Sequence, residues 1–183
     1  MPMHTSTTQA LVRPNFALTE RKPQPQSRGR RRIKAFYLPG DVFGLEMDDE
    51  HHFSVEAVTD STILVVKRSA LMSLANADGD VARRLWTFTA RELRRMQDHV
   101  LLLTKTAQER VASFLLDLAK QLAAVEEIEV PMSRRQDIAD YLGLTIETSS
   151  RTLTQLETQA TIALPTSRRI VLCNRRALSR LDA

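Results

Sequence analysis

Glu147, Ser150 and Arg151 stand at i, i+3 and i+4 in the stretch TIETSSRTLTQL, which ends at Leu156. On an α-helix that spacing puts all three on one face. Their chemistry suits the edges of base pairs. A carboxylate accepts hydrogen bonds from a cytosine or adenine amine, a guanidinium grips guanine with two parallel bonds, and a hydroxyl serves a base or a phosphate. Thr145, Thr148, Thr154 and Arg134 lie on or beside the same stretch and join the candidate set. The pattern also fits an ordinary helical hairpin with a solvated polar face, because two helices joined by a short turn are common.

The elements that must carry these groups are legible on either side. Ser133 is a good N-cap, and Gln136 three residues later completes a capping-box pattern. The first helix then turns Ile138, Ala139 and Leu142 inward. Gly143 supplies the left-handed conformation that ends a helix. Thr145 caps a second helix with Glu147 in its first turn, where the helix dipole favours an anion. Ile146, Ser149, Leu153 and Leu156 recur at helical spacing and are expected to face inward. Further on, Thr161–Leu164 and Arg169–Leu172 read as two strands joined through Pro165 to Arg168, a wing whose Arg168 and Arg169 suit phosphates. Asn174 then caps a closing helix.

The segment DIADYLGLTIETSSRTL, Asp137 to Leu153, resembles the helix-turn-helix of the cyclic-AMP receptor protein/FNR superfamily of transcription regulators. Glu147, Ser150 and Arg151 match the E-x-x-S-R reading motif of its FNR and FixK-like branches. The resemblance runs from about Phe36 to the C-terminus. It implies a homodimer on DNA, half-sites like TTGAT, and RNA polymerase as a further partner.

The chain has 183 residues, 43% of them hydrophobic, and a net charge of +4, so a packed core and a polyanionic partner are both compatible with it. Its single cysteine, Cys173, excludes an intramolecular disulfide and a four-cysteine metal site. At the end of a wing strand that thiol is expected to be a small core hydrophobe, with a redox-sensitive thiol near DNA as the alternative. No G-x-x-x-x-G-K-[ST] or G-x-S-x-G appears, so no enzyme, cofactor or metal is expected. No apolar run approaches the roughly 20 residues of a membrane span and the N-terminus lacks a signal-peptide core, which predicts a cytoplasmic protein without membrane partners.

In chain order, residues 1–32 are polar, proline-containing and basic, and read as a disordered tail. Residues 33–75 read as short strands: FYLPGDVFGLE and FSVEAVTDSTILVV resemble the second half of the family's sensory β-roll, with the first half absent. An incomplete roll exposes strand edges, which a dimer partner or the tail must absorb if instability is not to follow. The resemblance also bears on ligands. Leu45 and the pair Phe53-Ser54 occupy the places of the glutamate and the Arg-Ser/Thr pair that hold a cyclic nucleotide, so that ligand is not expected. His51 and His52 read as a solvated turn.

Residues 76–104 carry a long helix. Ala82, Trp86, Thr89, Leu93, Met96, Val100 and Leu103 alternate three and four apart from Val81 to Leu103, a heptad seam of the kind that pairs long helices. Trp86, Leu93, Met96, Val100 and Leu103 are the candidate dimer contacts. Residues 105–183 complete a winged helix-turn-helix, opened by a helix over Ala107–Ala124 with Val111, Phe114, Leu115, Leu118 and Leu122 on one face, and by a short strand over Glu126–Met132. The expected class is α+β: a partial jelly-roll (double-stranded β-helix) segment, a long dimerisation helix and a C-terminal winged helix-turn-helix. Two other functions fit the same residues: a shortened paralogue that heterodimerises with full-length regulators, and a regulator responsive to a small effector.

Overall fold

A computed structural model describes residues 8–12, 18–21, 32–38, 40–45, 54–57, 61–121, 127–128, 135–166 and 169–182. The chain divides into two compact units, Met1–Ser27 with Ala35–Gln97, and Arg28–Lys34 with Asp98–Ala183. The division falls inside the long helix, not at the expected borders of residues 76 and 105.

The first unit is built on two three-stranded sheets. One has the order β4-β1-β6, from β1 (Thr8–Val12), β4 (Val42–Phe43) and β6 (Ile63–Lys67). The other has the order β3-β2-β5, from β2 (Leu18–Arg21), β3 (Ile33–Tyr37, of which Ala35–Tyr37 fall in this unit) and β5 (Ser54–Ala57). Two of these strands correct the expectation of a disordered tail over residues 1–32. β1 runs antiparallel to β6, from Thr8 opposite Lys67 to Val12 opposite Ile63, and to β4 on its other side. β2 pairs with β5 from Leu18 opposite Ala57 to Arg21 opposite Ser54. The reason is the hydrogen-bonding demand of the neighbouring strands: an unpaired edge leaves a row of backbone donors and acceptors without partners, and a short extended segment satisfies them whatever its charge.

The motif FYLPGD anchors this unit. Ala35 and Tyr37 are buried with Phe43 packed against them, the Tyr37 and Phe43 rings lying 5.2 Å apart. Asp41 Oδ2 accepts from the Leu38 amide at 2.9 Å and closes the turn. Apolar cover is incomplete, since Ile63, Leu64 and Val65 of β6 all remain exposed.

Helix α1 (Arg68–Ala77) leads into α2 (Gly79–Leu102), a rod of 24 residues that lies inside the expected span of residues 76–104. It is about 36 Å long. α2 carries two stripes. Val81, Leu85, Phe88, Glu92, Arg95, His99 and Leu102 are partly or fully buried. Glu92 and Arg95 hold the β-strand motif: Tyr37 donates its hydroxyl to Glu92 at 3.0 Å, and the Arg95 guanidinium reaches Asp41 at 2.8 Å and lies 5.0 Å over the Tyr37 ring. Burial opposes the Arg95 charge, but Asp41 and Glu92 outweigh it and hold its pKa above the usual value. The second stripe is the heptad seam, and every member of it from Ala82 to Leu103 is exposed.

The second unit packs around α3 (Ala107–Gln121). Its start is a capping box: the Thr106 amide donates to Glu109 Oε2 at 2.7 Å, and the Glu109 amide donates back to Thr106 Oγ1 at 3.4 Å. Hydrogen bonding from the Thr106 amide first, and from the Thr106 side chain second, holds the Glu109 carboxyl below its usual pKa. Val111, Leu115 and Leu118 are buried on one face as expected, while Leu122 lies outside the described residues. α6 (Arg175–Asp182) packs on α3, capped by Asn174, whose Oδ1 accepts from the Ala177 amide at 3.0 Å. Lys105 ties it down, donating to Asp182 Oδ1 at 2.7 Å and to its carbonyl at 2.9 Å. α4 (Arg135–Leu142) and α5 (Ile146–Thr158) form the hairpin, and β7 (Glu127–Ile128), β8 (Ile162–Thr166) and β9 (Arg169–Leu172) form a sheet of order β7-β9-β8. No helix among the described residues is long and apolar enough to cross a membrane.

Candidate nucleic-acid interface

α5 presents the candidate reading residues because its other face is used up in the core. Ser149, Thr152, Leu153 and Leu156 are buried, and with Ile138, Ala139 and Leu142 of α4 they close the hairpin against α3. Glu147, Arg151 and Thr154 are exposed, and Thr145, Thr148 and Ser150 are half-exposed. Thr145 is the N-cap, its Oγ1 accepting from the Thr148 amide at 3.1 Å and lying 2.9 Å from the Thr148 hydroxyl. That bond orients the first turn, from which Glu147 projects at the positive end of the helix dipole.

The structure corrects the reading of Ile146, which was expected to face inward but is 39% exposed. It is the first residue of α5, before the helix has turned far enough to lie against α4. The signal for Thr152 was periodicity, since it is four residues before Leu156, but its polar side chain hid it. Asp137 and Asp140 of α4 are also buried, which charge alone did not suggest. Ser133 and Arg134 lie outside the described residues, so the capping box with Gln136 does too. The Gln136 side chain donates to Asp140 Oδ1 at 2.6 Å.

Both hairpin helices end in the same motif. In α4 the Leu144 amide donates to the Ala139 carbonyl at 2.9 Å, around Gly143 at φ +65°. In α5 the Thr161 amide donates to the Leu156 carbonyl at 2.9 Å, around Ala160 at φ +51°. Only one of the two carries the glycine this conformation favours. Gly143→Ala is therefore expected to lower stability by about 1–2 kcal/mol, the left-handed penalty for an L-residue. The new Cβ would also lie 3.2 Å from Leu103 Cδ2. Ala160→Gly is expected to raise stability by about 0.5–1 kcal/mol, for the opposite reason. Urea denaturation of the two variants checks the pair of signs.

The wing follows directly. Glu157 Oε1 accepts from the Leu164 amide at 3.1 Å, tying the end of α5 to β8. β8 pairs with β9 from Ile162 opposite Leu172 to Thr166 opposite Arg169, with an irregularity between Ala163 and Thr166. Pro165 lies in that gap, and its missing N–H interrupts a ladder. Arg169 is half-exposed on β9, while Arg168 lies outside the described residues. Cys173 is exposed, which corrects its expected place in the core. Strand alternation explains this: Ile170 and Leu172 take the inner face of β9, and the next residue falls outside it.

Two ties at the base of α4 escaped sequence reasoning. His99, on the last turns of α2, stacks on Tyr141 with ring centroids 4.4 Å apart, and its Nε2 lies 2.9 Å from the Tyr141 carbonyl. Arg110 reaches the Leu142 carbonyl at 2.9 Å. No sequence signal marks either pair. Burial pushes the His99 pKa below its usual 6.5, with the bond to the Tyr141 carbonyl pulling partly the other way. A depressed folded pKa means the unfolded chain takes up the proton first. The stabilising contribution is thus complete above about pH 6.5 and is lost as pH falls through the depressed value. The stability of His99→Gln is expected to fall less steeply than that of the parent between about pH 7 and pH 5, read as melting temperature against pH.

The architecture, a helical hairpin set on a helical core beside a β-wing, is that of a winged helix-turn-helix domain. The Crp-like helix-turn-helix domain family matches residues 109–181. The nitrogen fixation regulation protein FixK of Azorhizobium caulinodans is 55% identical over 161 residues, 85% of this chain and 64% of that protein. FixK of Rhizobium meliloti is 39% identical over 156 residues, covering 85% of this chain and 70% of the relative. The solved structure of FixK2 from Bradyrhizobium japonicum superposes with a TM-score of 0.88 at 50% identity, over 97% of this chain and 88% of that one. The chain belongs to the CRP/FNR family of transcription regulators, in its FixK-like branch. It spans just under two thirds of the Azorhizobium relative.

Proposed function

We propose that the protein is a sequence-specific DNA-binding regulator of transcription that acts as a homodimer on a palindromic TTGAT-like site. The observation that carries this is the division of α5: one face is consumed by the core, and the other displays Glu147, Ser150 and Arg151 from a helix whose start is fixed by Thr145. Arg151 takes the guanine contact, Glu147 accepts from a cytosine or adenine amine, and Ser150 contacts a base or phosphate. Thr148 and Thr154 lie beside them, and Arg134, Arg168 and Arg169 supply phosphate contacts. The exposed seam of α2 supports the dimer, because it leaves a second apolar stripe on a helix whose first stripe is already used. Two such protomers would place their reading helices in major grooves about one helical turn apart. RNA polymerase is the partner expected next to the bound dimer.

A mobility shift with the purified protein alone tests the reading. Binding to a TTGAT palindrome, competed poorly by random DNA, is expected. Binding that appears only after a longer family member is added would replace the homodimer by a heterodimer.

A further inference from the structure

Arg110 donates to three backbone carbonyls from two segments. Its Nε donates to the Lys105 carbonyl at 2.7 Å, its Nη2 to the Leu103 carbonyl at 2.7 Å, and its Nη1 to the Leu142 carbonyl at 2.9 Å. Leu103 and Lys105 belong to the turn that ends α2, where helical carbonyls lose their partners. Leu142 is the last residue of α4, three residues before the Thr145 cap. One guanidinium therefore serves orphan acceptors from the end of the seam helix and from the base of the reading hairpin. A rigid planar fork of donors can meet three acceptors at once, which an ammonium on a flexible stem does not do with the same geometry. The contact is also tight: a Cβ at Gly143 would lie 3.2 Å from Leu103 Cδ2 and 3.6 Å from Arg110 Nη1. The His99 stack on Tyr141 joins the same two elements one turn away.

We propose that Arg110 is a positioning residue: it locks the reading hairpin to the seam's last turn, where Val100 and Leu103 sit, and so sets the spacing at which two protomers read DNA. This rests on the dimeric DNA-binding reading above. Arg110 itself touches no base in that reading. Its effect is on geometry between half-sites, because joined binding modules gain only when their separation matches the target.

Two measurements on Arg110→Gln and Arg110→Lys test this. The first needs no DNA. Amide exchange is expected to accelerate in His99–Lys105 and Ile138–Leu144 in both variants, with the α3 core around Leu115 unchanged. Unchanged exchange in those two segments, or equal acceleration through α3, overturns the proposal. The second uses palindromic probes with the half-sites moved by one or two base pairs, and a single half-site. The parent is expected to prefer one spacing. Both variants are expected to lose about tenfold on that spacing, to discriminate less among the others, and to bind the single half-site as the parent does. Equal losses on full and half sites, or recovery by lysine, overturn it. If the parent binds no palindrome, the regulator reading fails, and the exchange result alone decides whether Arg110 joins the two segments.

Discussion

Leu93→Glu combined with Val100→Glu is expected to convert the protein to a monomer and to lower affinity for a palindromic site by about 10²–10⁴-fold, the gain that comes from joining two binding modules. Both positions face solvent in the single chain, Leu93 at 57% and Val100 at 64% exposure, with Trp86 at 75% and Met96 at 41% on the same stripe. The opposite stripe of α2 is engaged by Tyr37 at Glu92 and by Asp41 at Arg95. Charges on the exposed stripe therefore leave those contacts alone. In a paired seam, by contrast, each glutamate would be desolvated near its symmetry mate, where like charges repel. Helix content by circular dichroism should be unchanged, and affinity for an isolated half-site should be kept. Sedimentation as an intact dimer would refute the seam as the interface.

Arg151→Ala is expected to weaken binding to the TTGAT-like palindrome by about 1–3 kcal/mol per protomer and to relax selectivity at one base pair of each half-site. Arg151 is exposed on α5, with Glu147 one turn before it and Leu153 and Leu156 buried behind. Removing its side chain opens no cavity, so stability should change by less than about 0.5 kcal/mol. Affinity for random DNA should fall only by the share of one phosphate-range charge. A saturation series at each base pair, at fixed salt, distinguishes the two effects. Equal losses on specific and random DNA would make Arg151 a phosphate contact instead.

The helix-turn-helix was legible because its determinants are local. Thr145 as a cap, Gly143 at positive φ and the buried set Ile138, Leu142, Leu153 and Leu156 depend on neighbours within a turn or two, and these are the interactions that residue type and 3.6-residue spacing encode. The seam was legible for the same reason, as a repeat along a single helix. Ile146 and Cys173 escaped because each lies at the end of an element, where periodicity no longer says which side is covered.

The sequence by itself thus determined α5, its cap, its exposed acid and arginine, and the apolar repeat of α2. Tertiary structure alone decided that residues 8–12 and 18–21 become strands, that Arg95 belongs to Asp41 and Glu92, and that Arg110 and His99 bind the seam's end to the hairpin. Strand pairing and carbonyl capping between distant segments are satisfied by whichever donors the fold brings near. A residue's own type and spacing do not name that partner.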